Sequence, residues 1–70
     1  SLFSGTLKEN LALLNHDFSE TEMVAALSDA CALDVFHSRP LGLLFNIENQ
    51  GKNLSRGENK KILLAQALLK

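Results

Sequence analysis

Three short stretches of the chain combine a helix-start signal with the apolar residues that follow it. Thr6–Glu9, Ser19–Glu22 and Ser55–Glu58 each place Ser or Thr three residues before Glu, which is the capping-box pattern. In that pattern the hydroxyl oxygen accepts a hydrogen bond from a free amide of the first turn, and the carboxylate reaches back to the capping residue. We therefore predict three helices, which begin directly after these capping residues.

The spacing of apolar residues sets the predicted lengths of the first two helices. The first runs to about Leu14, and the second runs from about Glu20 to Leu33. One apolar stripe on the second helix consists of Met23, Leu27, Ala30 and Cys31. A further helical turn is expected at 35–37, and helix must stop at Arg39 because Pro40 follows.

The third predicted helix, about Arg56–Lys70, is polar at its start and apolar on nearly every side from Ile62 to Leu69. A helix that is apolar all round has to be buried all round, and 70 residues cannot supply that much cover. The pattern therefore indicates a partner surface, either the rest of a larger protein or a second copy of the chain. Self-association is then expected through four side chains of this helix: Leu63, Leu64, Leu68 and Leu69.

Residues 41–54, between the second and third helices, carry Gly and Asn residues that are typical of turns. An extended turn over Leu43–Ile47 is compatible with them, but no alternating pattern is long enough to build a sheet. The predicted fold class is therefore all-α, a small unit of three to four helices over residues 1–70. Its core must be aliphatic, because the hydrophobic residues include 4 Phe, no Tyr and no Trp.

Composition and charge argue against several classes of function. The formal net charge is -1, whereas a nucleic-acid-binding domain shows a large basic excess, so no nucleic-acid partner is expected. Residues 1–38 carry one base and six acids, and residues 39–70 carry six bases and two acids, so the two halves can attract each other. The 1 Cys cannot form an internal disulfide, and no Cys/His cluster suits zinc.

The two ends of the sequence lead to an expectation about the protein from which it comes. The chain begins without Met, ends inside an apolar helical pattern, and contains no signal peptide. It also has no apolar run near the roughly 20 residues that span a bilayer. We therefore expect a piece of a longer cytosolic protein.

No set of side chains suggests a catalytic nucleophile with its base. His16 and His37 are isolated, and neither has the spacing of a metal ligand pair, so structural roles are expected for both. Cys31 lies on the apolar stripe, where a buried, inert thiol is expected.

The best candidate site is Gly51–Glu58. A helix start presents free amides and a partial positive charge, which together suit a phosphate group. Gly57 allows a ligand to approach the backbone, Ser55 supplies a hydroxyl, and Lys52 and Arg56 add positive charge. An ordinary capping box behind a glycine turn accounts for the same residues, and the pattern alone leaves both interpretations open.

These residues resemble a known signature. Leu54–Glu58 reads LSRGE, and with the following helix, which ends LAQALL, it resembles the LSGGQ signature motif and ARALL helix of exporter-type ATP-binding cassette (ABC) transporter ATPases. Other stretches resemble that family in order: Leu2–Leu11 just after the Q-loop, Pro40–Leu43 before the X-loop, and Gly51–Ser55 at the exit of that loop. The resemblance covers essentially all 70 residues.

The resemblance implies a fold and a function. It identifies the chain as similar to the helical subdomain of a nucleotide-binding domain, a part of an α/β P-loop ATPase. In that family two such domains dimerise head to tail, and the signature motif of one contacts the γ-phosphate of ATP held by the other. The residues implied in this contact in trans are Leu54, Ser55, Arg56, Gly57 and Glu58.

A second implied contact couples ATP binding and hydrolysis to transmembrane transport. The loop implied in this coupling consists of Ile47, Glu48, Asn49, Gln50 and Gly51, and it would touch the transmembrane domain. The implied partners are a second nucleotide-binding domain, the transmembrane domain of a transporter, and the remainder of the chain's own ATPase domain. The implied location is the cytoplasmic face of the cell membrane.

The resemblance also implies what the segment lacks. The phosphate loop, the Q-loop Gln, the acidic strand that holds magnesium and the switch His are absent from the sequence. ATP and Mg are therefore expected only in the parent protein, and the segment by itself is expected neither to be catalytic nor to bind ATP.

Five positions depart from the family pattern. Arg56 replaces the first Gly of the signature, Glu58 replaces its Gln, and Gln66 replaces Arg in the ARALL segment. Glu48 and Asn49 stand where the X-loop usually reads Gly-Glu. Because Arg56 adds bulk beside the nucleotide and Glu58 adds negative charge near phosphate, we expect a weakened or non-equivalent ATP site.

Two other classes of function remain as alternatives. A non-enzymatic helical interaction module would self-associate through the apolar third helix. A helix-turn-helix DNA-binding module fits less well, because the third helix lacks polar base-reading side chains beyond its first turn.

Overall fold

The computed structural model describes residues 2–13 and 17–69 of the chain. Within these ranges it contains four helices: α1 (Leu7–Ala12), α2 (Glu20–Asp29), α3 (Leu33–Ser38) and α4 (Arg56–Leu68). Two short 3₁₀ turns lie at Gly42–Leu44 and Asn49–Gly51. The predicted all-α fold of three to four helices is confirmed.

One short β-pairing was not foreseen by the sequence. Strands β1 (Gly5–Thr6) and β2 (Asn46–Ile47) pair antiparallel, and the Leu7 amide continues the contact by donating to the Phe45 carbonyl at 2.8 Å. The pairing is too short to need an alternating apolar pattern. It holds the start of α1 against the segment that leads to α4.

All three predicted helix starts are confirmed, each with both hydrogen bonds of a capping box. In Thr6–Glu9 the two bonds measure 3.0 and 2.8 Å, and in Ser19–Glu22 they measure 3.1 and 2.8 Å. In Ser55–Glu58 the Glu58 amide donates to Ser55 Oγ at 3.1 Å, and the Ser55 amide donates to Glu58 Oε1 at 2.9 Å. Each box satisfies amides that the first turn of a helix cannot pair internally.

Helix α2 ends four residues before the predicted Leu33, and Cys31 is the reason. Cys31 adopts a left-handed conformation, with φ of 57°. Its amide donates to the Ser28 carbonyl at 3.0 Å, and the Ala32 amide donates to the Leu27 carbonyl at 2.7 Å. These two bonds form a Schellman motif, which closes a helix.

The early end of α2 also corrects the position of Cys31. The stripe residues Met23, Leu27 and Ala30 are buried as predicted. Cys31, in contrast, is exposed, because the left-handed turn removes it from the helical stripe. The expectation of a buried thiol is wrong.

The other helix ends lie close to their predicted positions. Helix α1 ends at Ala12, whereas Leu14 and His16 lie outside the described residues. Helix α3 stops at Ser38, and Arg39 is extended before Pro40, as the sequence indicated. Helix α4 ends at Leu68, and Lys70 lies outside the described residues.

The core is aliphatic and draws on every helix. Its most completely buried apolar side chains are Leu7, Leu11, Met23, Leu27, Val35, Ile47 and Ile62. Helix α2 packs against α4, and α1 also contacts α4. The Phe side chains remain at the margin of this core or outside it, which agrees with the composition.

A buried amide side chain ties α1 to the strand before it. Asn10 is fully buried; its Oδ1 accepts from the Phe3 amide at 2.9 Å, and its Nδ2 donates to the carbonyls of Phe3 and Thr6 at 3.0 Å. The Gln66 side chain on α4 donates to the Asn10 carbonyl at 2.7 Å. These bonds connect β1, α1 and α4 inside an otherwise apolar core.

The chain's own core covers only part of the apolar half of α4. Ile62, Ala65 and Leu69 are buried in it, whereas Leu64 and Leu68 are each 49% exposed. The predicted need for outside cover therefore concerns one strip of the helix. Leu69, which the sequence analysis placed in a self-association surface, is packed in the core of its own chain.

The two oppositely charged halves of the sequence meet at one ion pair of the described chain. Lys61 on α4 lies 3.3 Å from the carboxylate of Asp34 on α3. Desolvation acts to raise the pKa of Asp34, but the hydrogen bond and positive charge of Lys61 outweigh it, so that pKa lies below its ordinary value. The side chains of Lys61 and Asp34 are 37% and 61% exposed, so solvent screens the pair and it contributes little to stability.

We predict that Asn10→Ala destabilises the chain by about 3 kcal/mol, because buried backbone groups of Phe3 and Thr6 lose their partners. The measurement is the free energy of unfolding in urea. The control is Asn49→Ala at an exposed position, for which a change within about 0.5 kcal/mol is expected. Equal losses in the two variants would contradict the role of Asn10.

Candidate functional site

The first turn of α4 is open to solvent at the end predicted to bind an anion. Ser55, Arg56 and Gly57 are all exposed. A Cβ atom added at Gly57 would meet no described atom within 4 Å. A phosphate group can therefore reach the backbone at this turn without displacing described parts of the chain.

The capping box decides which donors remain for a ligand. It engages the amides of Ser55 and Glu58, and the Asn59 amide donates to the Ser55 carbonyl at 2.9 Å. Of the first amides of α4, those of Arg56 and Gly57 are left at the open end. Because Ser55 Oγ serves as an acceptor in the box, its own proton is still able to donate. Two amides and one hydroxyl are thus available where the helix dipole favours negative charge.

The Glu58 carboxylate faces a cation from another part of the fold. Arg39 Nη2 lies 3.3 Å from both Oε1 and Oε2 of Glu58. The two side chains are only 23% and 22% exposed. Nothing in the sequence connects these residues, which are 19 positions apart, so sequence analysis did not identify Arg39.

The structure divides the predicted coupling loop into buried and accessible parts. The Ile47 side chain lies in the core and Gly51 is buried, whereas Glu48, Asn49 and Gln50 are exposed. Only these three central residues can present side chains to a partner. Their contact with a transmembrane domain stays a prediction.

Side-chain amides fix this loop in place. Asn53 Oδ1 accepts from the Glu48 amide, and Asn53 Nδ2 donates to the Asn46 carbonyl, both at 2.9 Å. Asn59 in α4 donates to the Gln50 carbonyl at 3.1 Å. The loop and the first turns of α4 are therefore one connected unit, a linkage that neither Asn53 nor Asn59 signalled in the sequence.

Gly51 is required where the loop meets α4. Its φ is 73°, in the left-handed region that favours glycine, and a Cβ atom there would collide with the Asn59 side chain. The Gly51 carbonyl accepts from the Leu54 amide at 3.0 Å, and Leu54 packs at the edge of the core. Of the five predicted signature residues, Leu54 is thus partly committed to packing.

Among the described residues, His37 lies against an aromatic ring. The His37 ring contacts the edge of Phe36, with centroids 5.1 Å apart. Across residues 2–13 and 17–69, no group of three His, Cys, Asp or Glu side chains could hold a metal ion. In the same part of the chain, no helix has the length and apolarity needed to cross a membrane.

Comparison with known proteins supports the resemblance at the level of an ABC exporter. No profile of a protein family matches the chain. Over 69 residues the chain is 39% identical to the ATP-dependent lipid A-core flippase of Neisseria meningitidis and 41% identical to ABC transporter C family member 12 of Dictyostelium discoideum. It is 38% identical to the Microcin-J25 export ATP-binding/permease protein of Escherichia coli over the same length.

These matches cover 99% of this chain but only 5 to 12% of each relative. The chain therefore spans about a tenth or less of the length of the curated relatives it matches. Its sequence is similar to one region of ABC transporter ATP-binding and permease proteins.

We predict opposite effects for alanine at the two glycines of this site. Gly51→Ala is expected to destabilise the chain by about 2 kcal/mol, from left-handed strain and the clash with Asn59. Gly57→Ala, in open helical space, is expected to stabilise by up to about 0.5 kcal/mol through helix propensity. The free energy of unfolding in urea, measured for both variants, checks this prediction. A change of the same sign in the two variants would contradict the geometry.

Proposed function

We propose that this chain is the helical, signature-motif subdomain of an ABC exporter, and that its α4 start contacts the γ-phosphate of ATP held by a second nucleotide-binding domain. The single observation that carries the proposal is the open first turn of α4. There the signature-like residues leave a hydroxyl and two amides free for an anion.

The chemistry of the available donors suits a phosphate group. The Ser55 hydroxyl would donate to one oxygen, and the amides of Arg56 and Gly57 would donate to others. The missing side chain of Gly57 lets phosphate approach the backbone. ATP with its magnesium ion would be held mainly by the rest of the larger protein, so this segment would complete a composite site.

The connected loop gives the proposed site a route to a transmembrane partner. Glu48, Asn49 and Gln50 would contact the transmembrane domain at the cytoplasmic face of the membrane. Because Asn59 bonds the loop to α4, a displacement at one end would be transmitted to the other. The remainder of the chain's own ATPase domain would cover the exposed strip of Leu64 and Leu68.

An alternative is a helical interaction module that self-associates through α4. The half-exposed pair Leu64 and Leu68 favours it. The two functions differ in what the gene encodes beside these residues. A phosphate loop upstream and an acidic strand directly downstream would support the ATPase proposal, and a natural start and stop at these ends would support the module.

We predict that in the full-length protein Ser55→Ala lowers kcat/KM for ATP at least about tenfold, through loss of one phosphate donor. Arg56→Gly is expected to raise turnover or nucleotide affinity, because it removes side-chain bulk beside the free amides. ATPase kinetics measure both, with Lys60→Ala on the exposed face of α4 as the control.

For each variant, one result would contradict the prediction made for it. Normal kinetics in Ser55→Ala would refute the phosphate contact. Unchanged turnover and affinity in Arg56→Gly would refute a site weakened by that residue and leave the contact itself standing.

A further inference from the structure

Arg39 makes three contacts with one guanidinium group. Nη1 donates to Ser38 Oγ at 2.9 Å, and Nη2 lies 3.3 Å from each Glu58 carboxylate oxygen. Cζ lies 4.8 Å from the centroid of the Phe45 ring, within cation–π range. The guanidinium is therefore held on three sides and does not depend on Glu58 alone for its position.

The backbone around Arg39 also fixes it. Arg39 follows the last residue of α3 and is extended, with φ of -106° and ψ of 128°, as a residue before proline must be. Its aromatic neighbour Phe45 is anchored by the bond from the Leu7 amide. The guanidinium of Arg39 is thus held beside α4 by the end of α3 and by the ring of Phe45, and each of these is fixed separately.

This pair differs from the other ion pairs of the described chain. Asp34 and Glu20, the acidic members of those pairs, are 61% and 68% exposed, whereas Glu58 is 22% exposed. Exposed pairs contribute little because water and salt screen them. In this half-buried pair one guanidinium nitrogen reaches both carboxylate oxygens and the guanidinium lies over a ring, so the pair is more specific in geometry than the exposed pairs.

A cation that pairs with Glu58 matters for ligand binding because of where the Glu58 carboxylate lies. Its carboxylate lies in the first turn of α4, where it already accepts from the Ser55 amide. The signature motif that the segment resembles has a neutral Gln at this position. An unpaired carboxylate beside the free amides of Arg56 and Gly57 would repel a triphosphate, since like charges in a partly desolvated site oppose each other strongly.

We propose that Arg39 is a positioning residue of the nucleotide site, which neutralises Glu58 and keeps its carboxylate on the capping box and away from the phosphate. This inference rests on the proposed function. Together, Arg39 and Glu58 replace the neutral Gln of the signature motif. Arg39 acts only through Glu58 and needs no contact with nucleotide.

The test is a double-mutant cycle in the full-length protein. The probe is adenylyl imidodiphosphate with Mg²⁺, a non-hydrolysable ATP analogue, and its dissociation constant is measured for Arg39→Met, Glu58→Gln and the double variant. Arg39→Met is expected to weaken binding about tenfold, whereas adding it to Glu58→Gln changes binding less than about twofold. Arg39→Lys is expected to restore part of the loss, because it keeps the charge without the planar fork.

Lys61→Met is the matched control, because it removes the cation of another α3–α4 ion pair farther along the helix. It should change binding less than about twofold in either background. Urea unfolding of every variant separates loss of fold from loss of binding. An equal loss from Arg39→Met in both backgrounds would overturn the proposal, since a purely structural role does not depend on the charge of Glu58.

Ser55→Ala in the same assay separates the two proposals. If it weakens binding and Arg39→Met does not, the role of Arg39 is overturned and the nucleotide site stands. If Ser55→Ala and Arg39→Met both leave binding unchanged, the proposed nucleotide contact and the role of Arg39 are overturned together.

Discussion

The reciprocal hydrogen bonds between Ser55 and Glu58 determine what the first turn of α4 can bind. They satisfy two backbone amides and use the Ser55 hydroxyl as an acceptor, so its proton and the amides of Arg56 and Gly57 are not engaged in the capping box. The same bonds place a carboxylate beside those donors. The proposed nucleotide site therefore combines an open approach at Gly57 with a cation, Arg39, that we propose compensates this carboxylate.

The rest of the fold holds this turn in position. Asn59 joins it to the predicted coupling loop, and Arg39 joins it to the end of α3. Farther along α4, Gln66 bonds to the backbone of α1 inside the core. A buried polar group must be satisfied or it destabilises the fold, so this bond also fixes how α4 lies against α1. The first turn of α4 is consequently supported from three directions.

Local signals in the sequence predicted the parts of this structure that depend on neighbouring residues. The capping boxes and the arrest of helix before Pro40 were both accessible in this way, whereas anion binding at the first turn of α4 stays a prediction. The end of α2 was not predictable from such local signals, because Cys31 takes the left-handed position that usually belongs to Gly. The pairing of Arg39 with Glu58 was not accessible from the sequence either, since only the folded chain brings the two residues together.

Burial also separated residues that the sequence grouped. Ile47 was assigned to a partner-facing loop, yet its side chain completes the core, and Leu69 belongs to the interior in the same way. Asn10 and Gln66 read as ordinary polar helix residues, and their internal hydrogen bonds appear only with the tertiary fold. In each case the side chain's role depends on which elements pack together, which a single sequence does not specify.

The left-handed turn at Cys31 has a practical consequence. It places the 1 Cys of these 70 residues at the surface, in the corner between α2 and α3. A thiol-reactive fluorophore or spin label attached there would sit outside the core. Within this segment that label needs no engineered attachment point, and its distance to a second probe could be compared with and without the nucleotide that the proposed function requires.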